Sequence, residues 1–227
     1  MSRVAIIQPN YLPWKGYFDI IHRVDTFVLF DDVQYTTRDW RNRNRIKLPN
    51  GQLKWLSVPV LGGRDQLIRE ARIDLEQDWA ESHVGLIRHA YKEAPHFDRY
   101  SGELEATLRA GYELLVDLDE ALVRLVCGWV GIETRMVGST PLEAEGTKDD
   151  RLLDLLRKLD ATEYVSGPAA RAYIDPGKFE ASGIALVFYE YPEYPAYDQP
   201  GGPFEHGVSA IDLVFRTGPS APRYIWG

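Results

Sequence analysis

Hydrophobic residues recur along the chain at two spacings, which together predict strands alternating with helices. Dense apolar runs, of the kind that a buried parallel strand shows, occupy residues 3–8 and 26–34, and a helical run at 16–24 separates them. A strand, a turn, a helix and a second strand within about thirty residues outline a parallel βαβ unit. Further strands are predicted at 133–140 and 184–191, and residues 163–174 predict a strand, a turn and the start of a short helix.

The middle of the chain carries different patterns. Asn50 and Gly51 form a two-residue turn signal inside residues 44–60, which predicts a β-hairpin. Apolar residues at helical spacing then predict one helix over 78–93 and a longer helical region over 101–131. A glycine inside the second region favours a break or a close packing contact there.

Two more helices complete the predicted fold. Residues 146–161 have helical spacing, and residues 207–218 favour a helix because Ser209 suits the position before a helix begins. We therefore expect an α/β fold: a mainly parallel, Rossmann-like sheet built from two α/β halves, with a β-hairpin and a helical insertion at about 75–131. The whole chain, 1–227, is expected to form one domain.

Composition narrows the classes of function. The 227 residues are 44% hydrophobic and 26% charged, which suits a packed core, and the net charge is −8. This acidity argues against a general binder of nucleic acid or anionic membranes, which need a positive surface. No run approaches the ~20 apolar residues of a membrane span, no signal peptide is visible, and the one cysteine, Cys127, permits no disulfide within the chain. We therefore expect a cytoplasmic protein.

The first turn of the chain is rich in aromatic residues. Tyr11, Trp14 and Tyr17 follow Gln8 at the end of the first predicted strand. In a parallel sheet, ligands bind beyond the carboxyl ends of the strands, so these rings predict one wall of a ligand pocket. The alternative is that they only anchor the core, since aromatic side chains bury large areas.

A second polar segment, 31–47, concentrates positive charge in an acidic protein. Guanidinium groups match phosphate and carboxylate, and the asparagines between them add neutral hydrogen bonds, which predicts an anion clamp opposite the aromatic wall. The alternative is a solvated strand edge that charge protects from aggregation. Asp31 and Asp32 are expected to face opposite ways within a strand and not to act as one acid–base pair. The cations are Arg38, Arg41, Arg43, Arg45 and Lys47.

Few other residues suggest catalysis. His83, on a predicted helix, is the best base by residue type, although a single helical histidine is more often a packed residue. Cys127 lies among apolar helix residues, which favours core packing over a nucleophilic role. No histidine and cysteine set has the spacing of a zinc site, so no metal is expected. The proline- and tyrosine-rich loop at 191–206 is either a lid over a pocket or a stiff surface loop.

These segments together resemble the WbqC-like family. The resemblance rests on "IIQPNYLPWKGYF", "DDVQYTTRDWRNRNRIK", "LSVPV", "SHVGLIRHAYKEAPHF" and "YVSGPAARAYID", and on a tail that contains "YDQ" and "VSAIDLVF". Members of this family look like biosynthetic enzymes of surface-polysaccharide and natural-product pathways. The resemblance implies an acyl- or aminoacyl (glycyl-type) transferase that acts on an amino sugar or a similar amine.

The resemblance also implies roles for individual residues. His83 or Asp31 would remove the proton from the attacking amine. The side-chain amides of Gln8, Asn42 or Asn44 would stabilise the oxyanion that forms when the amine attacks. Cys127 lies outside the motifs, so a thiol mechanism is not implied.

Phosphate binding, cofactor and partners follow from the same resemblance. Arg43 and Lys47 would hold a phosphate, either of a nucleotide sugar or of a phosphopantetheine arm. The cofactor is not identified by the resemblance, which favours a phosphopantetheine thioester donor over ATP with magnesium. The expected partners are a small-molecule substrate, such as a nucleotide sugar, and an acyl carrier protein, but no nucleic acid. The implied substrate-binding residues are Gln8, Tyr11, Trp14, Tyr17, Gln34, Asn42, Arg43, Asn44, Lys47, Ser166, Gly167, Tyr173 and Gln199.

Two other functions stay open from the sequence. The strand–turn–helix outline also suits a nucleotide-dependent adenylyltransferase or ligase-type enzyme, which would bind ATP with magnesium. A non-catalytic subunit that binds a carrier or a ligand would use the same cationic pocket without turnover.

Overall fold

The structure, a computed structural model that describes residues 2–227, contains a five-stranded parallel sheet and a separate two-stranded hairpin. The strands are β1 (Arg3–Ile7), β2 (Thr26–Leu29), β3 (Arg43–Lys47), β4 (Leu53–Ser57), β5 (Arg135–Gly138), β6 (Glu163–Ser166) and β7 (Ala185–Phe188). The α-helices are α1 (Lys15–His22), α2 (Trp79–Tyr91), α3 (Phe97–Leu108), α4 (Leu115–Val130), α5 (Asp149–Lys158), α6 (Pro176–Ala181) and α7 (Ala210–Thr217).

The strand order of the large sheet is β5-β2-β1-β6-β7, and all its pairings are parallel. Counted among themselves in chain order, these strands run 3-2-1-4-5, which is the doubly wound order of Rossmann-like sheets. β3 and β4 pair antiparallel, with Asn44 opposite Leu56. The predicted α/β fold with a mainly parallel sheet and a β-hairpin is therefore confirmed.

Two hydrophobic cores cover the two faces of the large sheet. Ala5 and Phe27 belong to the larger core, which α1, α2, α3, α4 and α7 complete. Val4 and Val28, one position away on the same strands, belong to the second core with α5 and α6. Both faces of these strands are buried, which explains why their sequences are continuous apolar runs rather than alternating ones.

The helical insertion consists of three helices rather than two. The predicted region 101–131 divides into α3 and α4 around Gly111, whose positive φ of 75° suits glycine and breaks the helix there. Gly131, with φ 74°, ends α4 in the left-handed conformation that commonly follows a helix. Among the helices of the described residues, none has both the length and the apolarity needed to span a bilayer.

Strand ends differ from the sequence-based prediction, whereas the last helix agrees with it. The predicted strand 26–34 ends at Leu29, so Asp31 and Asp32 lie beyond the sheet. The expectation that these two carboxylates face opposite ways in a strand is therefore wrong. Ser209 precedes α7, and its side chain accepts a hydrogen bond from the Ile211 N–H at 3.4 Å, as its predicted capping role requires.

Candidate functional site

The direction in which the chain adds strands reverses at β1, which lies between β2 and β6. Ligands of doubly wound sheets bind beyond the carboxyl ends of the strands at such a point. β1 ends just before Gln8, and β6 ends at Ser166, which Gly167 follows. Because Ala5 pairs with Val165, these two ends lie side by side. The structure thus brings together Gln8, Ser166 and Gly167 from distant parts of the sequence.

The turn between β1 and α1 is held by hydrogen bonds from the segment that leads into the hairpin. Asn44 donates from Nδ2 to the backbone oxygens of Tyr11 at 3.3 Å and Leu12 at 2.8 Å. The Tyr11 N–H donates to the Trp40 carbonyl at 3.0 Å. Leu12 has a positive φ of 43°, which is unfavourable for leucine and depends on such support. The side chain of Asn44 therefore positions this turn.

The turn and the hairpin segment enclose a cavity of about 310 Å³. Trp14 from the turn and Arg45 from β3 both line it, so the aromatic turn and the arginine-rich segment meet at one concave surface. A volume near the lower end of the range for ligand sites suits a small polar molecule. The lining residues are Asn10, Pro13, Trp14, Trp40, Asn44, Arg45 and Gly207.

The cavity offers one cation and one unsatisfied acceptor. Arg45 donates from Nη2 to the Gly207 carbonyl at 3.0 Å, and its guanidinium lies 3.9 Å from a carboxylate oxygen of Glu205. Oδ1 of Asn10 is buried and has no hydrogen-bond partner among the described residues. An unpaired buried acceptor costs free energy, which a hydrogen-bond partner would recover.

Beside the cavity, two arginines lie over one tryptophan. The guanidinium carbons of Arg43 and Arg45 are 4.3 and 5.7 Å from the ring centroid of Trp55. The Trp40 ring, whose centroid is 5.6 Å from that of Trp55, connects this surface to the cavity that Trp40 lines. Trp40 and Trp55 are 42% and 40% exposed. Arg43 therefore lies at the rim of the cavity and not among its lining residues.

The side chain of Lys47 lies on the same face of the hairpin as that of Arg43, but the loop after β7 covers it. Its Nζ donates to Oε1 of Gln199 at 3.1 Å and to the carbonyl of Pro203 at 2.6 Å. Gln199 in turn donates from Nε2 to Oδ1 of Asp212 at 2.9 Å. Two of the residues implied to bind substrate, Lys47 and Gln199, thus join the loop after β7 to the hairpin and to α7.

The loop after β7 is fastened by two fully buried carboxylates. The hydroxyls of Tyr189 and Tyr194 donate to Oδ2 of Asp19 at 2.6 and 2.8 Å. The hydroxyl of Tyr197 donates to Oδ1 of Asp212 at 2.7 Å. Hydrogen bonds to charged groups are about twice as strong as neutral ones. Of the two roles left open for this loop, these contacts favour the stiff surface loop over the lid.

The same loop supports the aromatic wall of the cavity. Trp14 packs edge-on against Tyr191 and Tyr194, with ring centroids 4.9 and 6.0 Å apart. The Tyr191 hydroxyl lies 4.0 Å from the position that a Cβ on Gly167 would take. Tyr191 therefore bridges the wall of the cavity and the carboxyl end of β6.

His83 lies in the core, apart from the residues that line the cavity. Its Nδ1 is 2.8 Å from the hydroxyl of Tyr11, and its ring packs edge-on against Trp79. Burial lowers the pKa of His83 to about 4, and a hydrogen bond with the backbone of Ser57 opposes that shift. In the neutral imidazole, Nδ1 accepts the hydrogen bond from Tyr11, so it has no lone pair free to take a proton from a substrate. The same hydrogen bond positions the turn.

Asp31 and Asp32 converge on one hydroxyl beyond the ends of β2 and β5. Oγ of Ser139 lies 2.7 Å from a carboxylate oxygen of each aspartate. Asp31 also accepts from the N–H and the hydroxyl of Thr140 at 3.0 Å, and Asp32 pairs with Arg151. These partners occupy the two carboxylates in a structural cluster, and neither aspartate lines the cavity.

The other residues implied by the resemblance are spread over the molecule. Gln34 is exposed and donates to a carbonyl of the glycine-rich loop after β4 at 3.1 Å. Asn42 donates to the carbonyl just after β4 at 2.9 Å. Tyr17 is buried, and its hydroxyl donates to the carbonyl of Gln8 at 3.2 Å. Tyr173, after β6, is 71% exposed.

Sequence reasoning missed Lys15, the first residue of α1. Lys15 is buried, and its Nζ lies 4.9 to 5.5 Å from the centroids of three aromatic rings of the loop after β7. Burial lowers the pKa of Lys15 to about 8, against an opposing effect of Asp212. The positive end of the helix dipole also disfavours an ammonium group there. A lysine at the first position of a helix is the sequence signal that would have drawn attention to it.

Sequence reasoning also missed Asp119 of α4. This residue is fully buried, and neither of its carboxylate oxygens has a hydrogen-bond partner among residues 2–227. Burial raises the pKa of Asp119 well above its usual value, and the nearby Arg41 opposes the rise. Burial raises the pKa of Tyr11 and of Tyr35, and Asp119 adds to both shifts. Helical spacing alone gave no signal for it.

The described part of the chain contains neither a group of side chains arranged to bind a metal ion nor a reactive thiol. Within residues 2–227, no group of three or more histidine, cysteine, aspartate or glutamate side chains is arranged to hold a metal ion. Cys127 is buried, and burial raises the pKa of its thiol to about 12. A thiol of this kind is a poor nucleophile near neutral pH.

Comparison with known proteins gives one family and one relative. The family description "WbqC-like protein family" matches residues 8–224. Uncharacterized protein Rv1507c of Mycobacterium tuberculosis (strain ATCC 25618 / H37Rv) is 44% identical over 228 residues, which cover 99% of this chain and 98% of that protein. No solved structure matches the chain.

Proposed function

This chain belongs to the WbqC-like protein family, and from that premise we propose that it is a biosynthetic acyl- or aminoacyl (glycyl-type) transferase acting on an amino sugar or a similar amine. The cavity that Trp14 and Arg45 share is the observation that supports this proposal. Its position next to the end of β1 agrees with the general location of ligand sites in doubly wound sheets.

The chemistry of the cavity fits an amino sugar. The ring of Trp14 offers apolar surface to the carbon face of a sugar ring, and Asn10, whose side-chain oxygen is unpaired, lines the same space. Arg45 offers a fixed positive charge in a largely apolar space. A few polar groups placed in an apolar pocket are typical of small-molecule sites.

The reaction has a simple atomic balance. The amine nitrogen attacks the acyl carbon of the thioester, a C–N bond forms and the C–S bond breaks, and the proton that the nitrogen loses ends on the departing thiolate. Negative charge develops on the acyl oxygen, and the guanidinium of Arg45, which would bind the substrate, supplies positive charge to the cavity in which it develops. We assign no proton transfer to His83, because its Nδ1 is engaged by Tyr11.

The proposal is tested by measuring acyl transfer with the purified protein. Free and nucleotide-linked amino sugars are combined with acyl and aminoacyl thioester donors, and the amide product is detected by mass spectrometry. Removing the charge with Arg45→Gln is expected to lower kcat/KM by roughly tenfold to a hundredfold, because a hydrogen bond to a charged group contributes about 1.5–3 kcal/mol. Lys54→Gln removes an equal charge from an exposed position of the same hairpin and is expected to change kcat/KM less than twofold. Equal effects of the two variants would refute the role of the cavity.

The parallel sheet supports a second candidate function. Many nucleotide-dependent enzymes have a doubly wound sheet whose strand order reverses at the first strand, as it does here at β1. We therefore keep an adenylyltransferase or ligase-type activity as the alternative. It predicts product only when ATP and magnesium are added and release of diphosphate or phosphate with each turnover. Amide formation from a thioester without ATP would exclude this alternative. Binding of all candidate substrates without any product would favour a non-catalytic subunit over both.

A further inference from the structure

The surface formed by Trp40, Trp55, Arg43 and Arg45, here called the arginine–tryptophan rim, has no role in the fold that its contacts explain. Arg43 forms no ion pair within 4.0 Å in the part of the chain that the structure describes, and its Nε is buried without a hydrogen-bond partner. Arg45 has only the Gly207 carbonyl and a distant contact with Glu205. Lys47, the third cation of this face, is fully engaged elsewhere.

The geometry of the two arginines suits two linked phosphates. Arg43 and Arg45 are two positions apart on one strand, so they project from the same face about 6.5–7 Å apart along it. Both guanidinium groups lie within cation–π distance of the Trp55 ring, Arg43 at 4.3 Å and Arg45 at 5.7 Å, which helps to hold them on this face of the hairpin. Arginine pairs of this kind hold phosphate by charge-assisted, bidentate hydrogen bonds.

Trp40, the tryptophan of the rim that also lines the cavity, is suited to stack on a nucleobase. Trp40 is 42% exposed, its backbone is fixed by the hydrogen bond from Tyr11, and its ring lies between the cavity and Trp55. Stacking of a base on an exposed, fixed indole contributes to affinity with little dependence on which base is bound. A phosphopantetheine arm has no planar ring and would gain nothing comparable from this indole.

We propose that the arginine–tryptophan rim is a nucleoside diphosphate subsite, with Arg43 and Arg45 on the diphosphate, Trp40 under the base, and the attached sugar in the cavity. This inference rests on the proposed function, since it specifies that the amino sugar is presented as its nucleoside diphosphate. The local cations explain how a protein of net charge −8 binds a polyanion.

Equilibrium titrations with tryptophan fluorescence and calorimetry test the subsite directly. Uridine, thymidine, guanosine and adenosine diphosphates are compared with the matching monophosphates, with inorganic diphosphate and with phosphopantetheine. At least one nucleoside diphosphate is expected to bind at least tenfold more tightly than its monophosphate and than inorganic diphosphate. The affinity is expected to fall as salt is raised.

Variants separate the two halves of the subsite. Arg43→Gln is expected to weaken nucleoside diphosphate and inorganic diphosphate alike by tenfold or more, and Arg43→Lys is expected to restore only part of that loss. Trp40→Leu is expected to weaken the nucleoside diphosphate alone. Lys54→Gln, the charge-matched control on β4, is expected to change each affinity less than twofold. Circular dichroism melts of each variant verify that it is folded.

Several results would overturn the inference. These are no binding of any nucleoside diphosphate, equal affinity for inorganic diphosphate, insensitivity to Arg43→Gln, or tighter binding of phosphopantetheine through the same arginines. Amide formation on a free amino sugar by a protein that binds no nucleoside diphosphate would refute the subsite and leave the proposed transferase intact. Tight, Arg43-dependent binding of a nucleoside diphosphate with no transfer from any donor would refute the transferase and leave the subsite intact.

Discussion

The hydrogen bond between Tyr11 and His83 fixes the protonation of both residues. Burial lowers the pKa of the imidazole to about 4 and raises that of the Tyr11 phenol, so both groups are neutral at pH 7. The phenol donates and Nδ1 accepts, which leaves the imidazole without the free lone pair that a general base needs. The residue that looked most catalytic in the sequence therefore acts on the turn through its tyrosine partner.

This arrangement predicts how stability depends on pH. The unfolded chain binds a proton on His83 below about pH 6.5, whereas the folded chain binds it only below about pH 4, so the free energy of unfolding rises with pH between these values. The contribution of this one group amounts to about 3 kcal/mol across that window. In His83→Gln, which does not titrate, urea unfolding measured from pH 4 to pH 7 should show a correspondingly shallower rise.

His89 provides the control for this prediction. It lies on the same helix but is exposed, so His89→Gln should leave the slope of unfolding free energy against pH close to that of the unmodified protein. An unchanged slope in His83→Gln would mean that His83 has the same pKa in the folded protein as in the unfolded chain. With that result, His83 would again be a candidate for the general base.

At the scale of elements, one loop and one hairpin hold the cavity together. The loop after β7 covers Lys47, packs behind Trp14 and is joined to α7 through Gln199 and Asp212. Gln199 is central to this arrangement, because its Oε1 accepts from Lys47 and from the N–H of Glu205 while its Nε2 donates to Asp212. The cavity wall therefore depends on contacts between elements that are far apart in the sequence.

Replacing Gln199 tests this dependence. Gln199→Leu leaves the buried ammonium of Lys47 and the carboxylate of Asp212 each without one partner, so we expect a loss of about 2–4 kcal/mol in unfolding free energy. Hydrogen exchange monitored by mass spectrometry should accelerate over residues 196–206 and remain slow in β1 and β2.

Gln52→Leu is the matched control, because Gln52 is exposed and its recorded hydrogen bonds use only its backbone. It should change the unfolding free energy by no more than about 0.5 kcal/mol. The rate of hydrogen exchange in the loop should stay the same. Uniform acceleration across the whole chain in Gln199→Leu would show that the loop unfolds with the rest of the molecule. It would contradict the view of Gln199 as a local fastening.

At the scale of the whole molecule, the sequence predicted those features that depend on neighbouring residues. The Asn50-Gly51 turn fixed the hairpin, Ser209 marked the start of α7, and the apolar runs located the strands of the parallel sheet. Each of these signals acts within a few residues, so a single sequence contains it. The end of β2 was misplaced because apolar character continues past Leu29 to Phe30 and Val33, beyond the last ladder pairing.

Features of the site that depend on long-range contacts were not predictable in this way. Arg43, Arg45 and Lys47 look equivalent along β3, but a loop 152 residues further on buries Lys47, whereas Arg43 and Arg45 stay partly exposed. The partner of His83 is 72 positions away, and nothing near His83 indicates it. The position of the aromatic turn at the end of β1 was predictable, since strand, turn and helix are contiguous there.

The claim on which this account depends is that the cavity between the β1–α1 turn and the hairpin is the substrate site. A crystal structure of the protein with a saturating nucleoside diphosphate amino sugar tests it most directly. The account predicts the sugar in contact with Trp14 and Asn10, and the diphosphate on Arg43 and Arg45. A ligand bound instead in the open depression between α6 and β7, against Glu180 and Leu186, with the cavity free of it, would contradict the account.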